Sequence, residues 1–297
     1  MKQYPVQYLN LENGETIAYR KSGNKGDIVV LVHGNMSSSV HFQEVIEQLE
    51  NDYQVYALDL RGFGDSSYKK TLNSLHDFAE DVVLFINQLD LDNFNLLGWS
   101  TGGGIVLEVA ADLKQRVKKV FLLDSVGIKG YPMFKKDEKG QPILTELITT
   151  KKEIEADPVQ VAPILQAYAT NNKDVMRAVW NALIYNLKQP SEKDYEIYLD
   201  AIFKQRNLVD VDYSLVHFNM TNDHNGINKG SGRMDLITAP VVIMHGRKDL
   251  VVPFSFAEEM KQYFKDRATL EVFEEAGHSV LTDDLPLFIN TLKKHLS

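Results

Sequence analysis

The sequence predicts an α/β fold: a mostly parallel, eight-stranded sheet flanked by helices, carrying an inserted, mainly helical segment. Three observations predict it. Short β-branched runs alternate with longer stretches of helical periodicity through residues 1–124. Several of these runs are apolar throughout, as strands covered on both faces are. The alternation stops at about Ser125 and resumes at Val241.

Taken in order, Tyr4–Leu9 and Thr16–Arg20 read as a hairpin around the turn pair Asn13-Gly14. Ile28–Val32 is a continuous apolar strand ending at His33-Gly34, and a helix is expected over Phe42–Leu49. Val55–Leu58 is the next strand, ending at Asp59, and Leu75–Leu89 places apolar residues at helical spacing. Phe94–Leu97 runs into Gly98-Trp99-Ser100-Thr101-Gly102, followed by a helix over Gly103–Leu113 and a strand over Val120–Leu123 that ends at Asp124. Helical segments are then expected over Thr145–Ala156, Pro158–Ala169, Asp174–Leu187 and Ser191–Gln205, the last opening on a Ser191-x-x-Asp194 cap. The stretch Thr221–Gly232 is rich in Gly and Asn and reads as loop. Strands over Val241–Met244 and Leu270–Phe273, a helix over Phe254–Phe264 and a closing helix over Leu285–Leu296 complete the chain. The expected organisation is a core of residues 1–124 and 236–297 with a helical cap over 125–235.

Composition narrows the function. The 297 residues carry a net charge of −9 and no basic stripe, which argues against nucleic acid as a partner. The absence of cysteine excludes a thiol nucleophile, a disulfide framework and thiolate-bound metal. No run of about 18 apolar residues occurs, so no membrane span is expected, and the N-terminal stretch lacks the apolar core of a secretory signal. A cytoplasmic protein is the expectation.

The chemistry centres on Ser100, at the middle of a G-x-S-x-G pentapeptide between a strand and a helix. Such a bend holds a serine in a strained backbone conformation, and the flanking glycines remove side chains that would collide. The helix that follows sets its positive N-terminus beside the reacting atom. A serine hydroxyl needs a base. His278, in a loop between the last strand and the last helix, is the expected base. His33 and His245 also end strands, but each leads directly into a glycine turn and reads as structural. The base in turn needs a carboxylate to fix its tautomer. Asp249 gives the order Ser-Asp-His with a short step to His278; Asp124, also at a strand end, is its rival.

With these motifs together, the chain resembles the α/β-hydrolase fold superfamily. The matching segments are His33-Gly34-Asn35-Met36, Asp59–Ser66, Gly98–Gly102, His245–Asp249 and Gly277-His278. The inserted helices match only in position. The resemblance implies that the residue after the nucleophile, Thr101, and the residue after His-Gly, Asn35, donate backbone N–H groups to an oxyanion, with Met36 the alternative to Asn35. It implies no metal and no organic cofactor. Relatives that open epoxides or remove halide carry Asp at the nucleophile position, and Ser100 sets this chain apart from them.

The expected activity is cleavage of a small carboxylic ester through an acyl-enzyme. The same machinery would serve a lactone, a thioester or an activated C–C bond, and some relatives act as ligand receptors with little turnover. A small-molecule pocket is expected between core and cap. Met36, Trp99, Phe63, Tyr168 and Trp180 are its expected lining, with Tyr185, Phe203 and Phe218 as further apolar candidates. The run Asp59–Ser66 is expected to be structural.

Overall fold

The computed structural model describes residues 1–297. The first half alternates as its periodicity dictates: β1 (Val6–Asn10), β2 (Thr16–Ser22), β3 (Ile28–Val32), α1 (Gln43–Leu49), β4 (Gln54–Leu58), α2 (Leu75–Gln88), β5 (Phe94–Trp99), α3 (Thr101–Leu113) and β6 (Val117–Leu123). The chain then leaves the sheet. It forms a hairpin of β7 (Met133–Lys136) and β8 (Pro142–Ile148), and then α4 (Lys151–Glu155), α5 (Ala162–Thr170), α6 (Lys173–Leu183), α7 (Glu192–Ile202) and α8 (Leu208–His217). It returns through β9 (Val241–Gly246), α9 (Phe254–Phe264), β10 (Ala268–Phe273), α10 (Val280–Asp283) and α11 (Leu285–Leu296).

The eight-stranded sheet has the order β1-β2-β4-β3-β5-β6-β9-β10. Only the pairs β1/β2 and β2/β4 are antiparallel; β4/β3, β3/β5, β5/β6, β6/β9 and β9/β10 are parallel. Successive side chains of the parallel strands go to opposite faces, and both faces are covered. Val30, Val32, Leu96 and Ile243 pack toward α2, α3 and α9. Val29, Leu31, Leu97, Val242 and Met244 pack toward α1 and α11, together with Trp180, Tyr195 and Tyr198 from the insertion. No helix is long and apolar enough to cross a membrane.

The parallel register determines where the functional residues emerge. Val32 pairs with Leu58 and Gly98, Trp99 with Leu123, and Leu123 with Met244. His33, Asp59, Ser100, Asp124 and His245 therefore leave the sheet at one edge, at the carboxyl ends of neighbouring strands.

The insertion departs from expectation in several places, among them the β7–β8 hairpin. The helix expected over Thr145–Ala156 is strand as far as Ile148. Thr150 then caps α4, accepting from Glu153 N–H while the Glu153 side chain returns to the Thr150 N–H, so the helix starts only after it. α8 was not expected. Its buried residues Leu208, Val211 and Leu215 follow helical spacing, and Val211 and Leu215 join the core on the α2–α3 side of the sheet.

Candidate active site

Ser100 lies between β5 and α3 with φ 56° and ψ −122°, a region that non-glycine residues rarely occupy. Its neighbours hold it there: Ser100 N–H donates to Leu123 O at 2.9 Å, and its own carbonyl accepts from Gly103 N–H at 2.9 Å and Val126 N–H at 3.2 Å. The bend needs its glycines. A Cβ at Gly98 would strike the Gly102 carbonyl, and one at Gly102 would strike the Val32 carbonyl. Gly34 is equally constrained, since a Cβ there would stand 2.7 Å from Ser100 Cβ. The His33-Gly34-Asn35 turn thus lies directly against the serine. Neither Asn35 N–H nor Thr101 N–H has an acceptor within the chain.

The loop after β10 brings His278 to the serine. His278 Nε2 is 3.1 Å from Ser100 Oγ, and His278 Nδ1 is 2.8 Å from Asp249 Oδ2. A carboxylate only accepts, so the ring proton sits on Nδ1 and Nε2 is left as the acceptor facing the hydroxyl. Asp249 is itself tightly held. Its Oδ1 accepts from Val251 N–H at 2.7 Å and Val252 N–H at 2.9 Å. Burial pushes its carboxyl upward, but the His278 charge and hydrogen bond and the Val252 N–H outweigh this and hold it below the usual aspartate range.

Asp124 sits beside this pair rather than in it. Its Oδ1 accepts from Gly246 N–H at 2.8 Å, while Oδ2 is buried without a partner. Burial, and then repulsion from Asp249, raise its carboxyl well above the usual value. Asp124, His245 and Asp249 offer atoms within 4.8 Å of one another, a spacing that would suit a metal ion. Two of the three are already engaged. Asp249 Oδ2 serves His278, and His245 Nε2 donates to Val252 O at 3.0 Å. His33 is structural: it accepts from Leu60 N–H at 3.0 Å, and burial lowers its pKa to about 4. In the run Asp59–Ser66, Asp59 accepts from the N–H groups of Ser39 and Asp65, and Arg61 pairs with Asp81 of α2.

The expected lining residues divide. Met36 and Tyr168 keep partial exposure, as do Ser100 and Asn35 beside them. Phe63, only 1% exposed, packs edge-on against His33 with centroids 4.9 Å apart, inside the core. Trp180 is fully buried, its ring against His41 and Tyr185. Neither side chain offers surface to a ligand here: Phe63 is packed in the core on the α2–α3 side, against His33 and Phe78, and Trp180 in the core where the insertion meets the other side of the sheet. Trp99 is also buried, and its indole Nε1–H donates to His278 O at 2.9 Å. It braces the loop that carries His278. Trp99→Phe keeps the ring and removes that bond; kcat is expected to fall roughly 3- to 10-fold with little change in KM, measured by steady-state kinetics.

Two residues that sequence reasoning missed stand at the serine's edge. Asp212 of α8 accepts from Asn35 Nδ2 at 3.1 Å, and Gln205, after α7, hydrogen-bonds both Asn35 and Met36. Neither lies in a recognisable motif, and each is more than 160 positions from its partners. Met36 N–H, the alternative oxyanion donor, is already engaged by Asn35 Oδ1 and Gln205 Oε1, each at 3.0 Å, which leaves Asn35 N–H as the open donor of that turn. Burial, followed by repulsion from Asp157, raises Asp212 to about 7, against a smaller lowering by Asn35. A carboxyl with a raised folded value costs stability as pH climbs from its unfolded value through its folded one. Asp212→Asn should therefore melt about 3 °C above the parent near pH 8, with the gap closing near pH 4, in thermal denaturation scans.

Comparison with known proteins agrees with this architecture. A family profile described as alpha/beta hydrolase fold matches residues 27–285. Pimeloyl-[acyl-carrier protein] methyl ester esterase of Aliivibrio salmonicida is 27% identical over 291 residues, covering 95% of this chain and 96% of that protein. Among solved structures, an esterase from Exiguobacterium antarcticum superposes with a TM-score of 0.73 at 25% identity, covering 97% of this chain and 98% of its own. An esterase from a Rhodococcus species superposes at 0.71 with 19% identity, covering 98% of each chain, a likeness of fold. With the profile spanning most of its length, the chain belongs to the alpha/beta hydrolase fold family.

Proposed function

We propose that this protein is a serine hydrolase that cleaves small carboxylic esters through an acyl-enzyme, with Ser100 as nucleophile, His278 as base and Asp249 as its carboxylate partner. The observation that carries the reading is the unbroken line from Asp249 Oδ2 through the His278 ring to Ser100 Oγ, at 2.8 and 3.1 Å. The esterase names of the Aliivibrio and Exiguobacterium relatives support the choice of bond.

As substrate binds, Ser100 Oγ attacks the ester carbonyl and His278 Nε2 takes the hydroxyl proton. The carbonyl oxygen becomes an oxyanion, met by the free N–H groups of Asn35 and Thr101. Each such donor contributes about 3 kcal/mol to the transition state. The C–O bond to the alcohol then breaks, and the alcohol leaves with the proton from His278. Water, deprotonated by the same ring, attacks the acyl-Ser100 ester and releases the carboxylic acid and the free serine. Asp249, ionised and fixed by two backbone N–H groups, stabilises the imidazolium in both halves.

The test combines labelling and turnover. A fluorophosphonate probe should label the chain once, at Ser100, and p-nitrophenyl esters of increasing acyl length should be hydrolysed with a burst of one alcohol per enzyme. A chain that neither labels nor turns over any ester or lactone in a broad panel would overturn the proposal and favour a ligand-receptor role.

A further inference from the structure

The insertion reaches the oxyanion loop through a buried amide, Gln205, beside the Asp212 contact to Asn35. Gln205 lies in the turn between α7 and α8 and is 5% exposed. Its Oε1 accepts from Met36 N–H at 3.0 Å and from Tyr168 Oη–H at 3.1 Å. Its Nε2 donates to Asn35 Oδ1 at 2.7 Å and to Asn207 Oδ1 at 3.2 Å. The partners determine the amide's orientation. Flipped, it would set its oxygen against two acceptors and its N–H groups against the Met36 N–H.

This amide acts on a strained segment. Met36 has φ 55°, in the left-handed region that a long L side chain seldom adopts. Such a conformation persists only where its surroundings over-determine it. Here the Asn35 side chain and Gln205 together grip the Met36 N–H, and Asp212 holds the other end of Asn35. Asn35 N–H, the open donor beside Ser100, belongs to the same turn. Gln205 is itself anchored to the core. Asn207 Nδ2 donates to Arg61 O at 2.7 Å, and Arg206 N–H donates to Gly62 O at 2.9 Å. The turn 205–207 thus links the loop after β4, the insertion and the oxyanion loop.

We propose that Gln205 is a positioning residue for the oxyanion loop, so that seating of the insertion on the core and alignment of the Asn35 N–H are one event. The proposal rests on the hydrolase reading above only for its kinetic consequence. Nothing in it requires Gln205 to touch substrate. It acts through Asn35 and Met36, and its loss misaligns a donor whose worth lies in the transition state rather than in ground-state binding.

The test is Gln205→Met, which keeps shape and removes the amide, in the full chain. Two quantities are read: backbone amide exchange at Met36, and kcat and KM on a p-nitrophenyl ester that the parent hydrolyses. The expected result is exchange at Met36 faster by roughly tenfold or more while exchange in the sheet is unchanged. Alongside it, kcat should fall roughly 10- to 100-fold, with KM within about twofold. Unchanged exchange at Met36 overturns the proposal, as does faster exchange with kcat within about twofold of the parent. A parent inactive on esters defeats the hydrolase reading alone, and faster exchange at Met36 then still supports positioning. Should the methionine variant not fold, Gln205→Leu, which likewise removes the acceptor for Met36 N–H and the donor to Asn35, is judged by the same two readings.

Discussion

Replacing Ser100 by alanine is expected to lower kcat on a chromogenic short-chain ester by roughly 10⁴- to 10⁶-fold, and to abolish fluorophosphonate labelling. The size follows from what is lost. On the proposed mechanism, loss of Oγ removes the acyl-enzyme and leaves the open N–H groups of Asn35 and Thr101 to assist only direct attack by water. KM should change little, because the hydroxyl contributes little to holding the ester in its ground state. The fold should survive, since the backbone bonds from Ser100 to Leu123, Gly103 and Val126 do not involve the side chain. Alanine would occupy the same positive-φ position as the serine, so the thermal transition should move only slightly. Steady-state kinetics and a melting curve on one preparation check both halves.

The second large effect distinguishes two carboxyls. Asp249→Asn should lower kcat by about 10⁴-fold, measured near neutral pH. The side-chain oxygen of the new amide would be drawn to the Val251 and Val252 N–H groups that now hold Oδ1. Its NH₂ would then face His278 and donate to Nδ1. The imidazole would be forced into the tautomer with the proton on Nε2, pointing a donor at Ser100 where an acceptor is needed. Asp124→Asn should change kcat by less than about threefold. The bond that Asp124 Oδ1 accepts from Gly246 N–H can be kept by an amide oxygen, and it ties the carboxyl to the backbone rather than to the imidazole. The opposite pattern would transfer the role to Asp124.

How much of this was legible in the chain can be argued from particular residues. Ser100, His278 and Asp249, which the fold brings within hydrogen-bond reach of one another, each sit in or just after a local signature: a glycine-flanked bend, a glycine before a loop histidine, a strand end before an aspartate. The parallel strands were legible because burial on both faces demands unbroken apolar runs. The Asp249–Asp124 choice was narrowed by chain order, but the geometry that separates them is the 2.8 Å contact to His278 against the Gly246 bond. Phe63 and Trp180 were expected at a pocket wall because large aromatics serve pockets and cores alike. Only packing tells the two apart, and it puts both inside. The β7–β8 hairpin escaped notice because its strands bury only Met133 and Ile148 and carry no buried-strand signal.

The sequence by itself determined the layered α/β architecture and the glycine-flanked bend at Ser100. These depend on hydrophobic period, glycine placement and order along the chain, which act locally. The tertiary structure alone decided that Met36 N–H is occupied while Asn35 N–H is open, that Asp124 bonds the Gly246 N–H, and that Gln205 and Asp212 close on the Asn35–Met36 turn from the insertion. Those outcomes depend on which polar groups meet across more than 80 residues of intervening chain and on how far water is excluded where they meet. A linear pattern carries neither quantity, because hydrogen-bond satisfaction and desolvation are properties of the assembled interior.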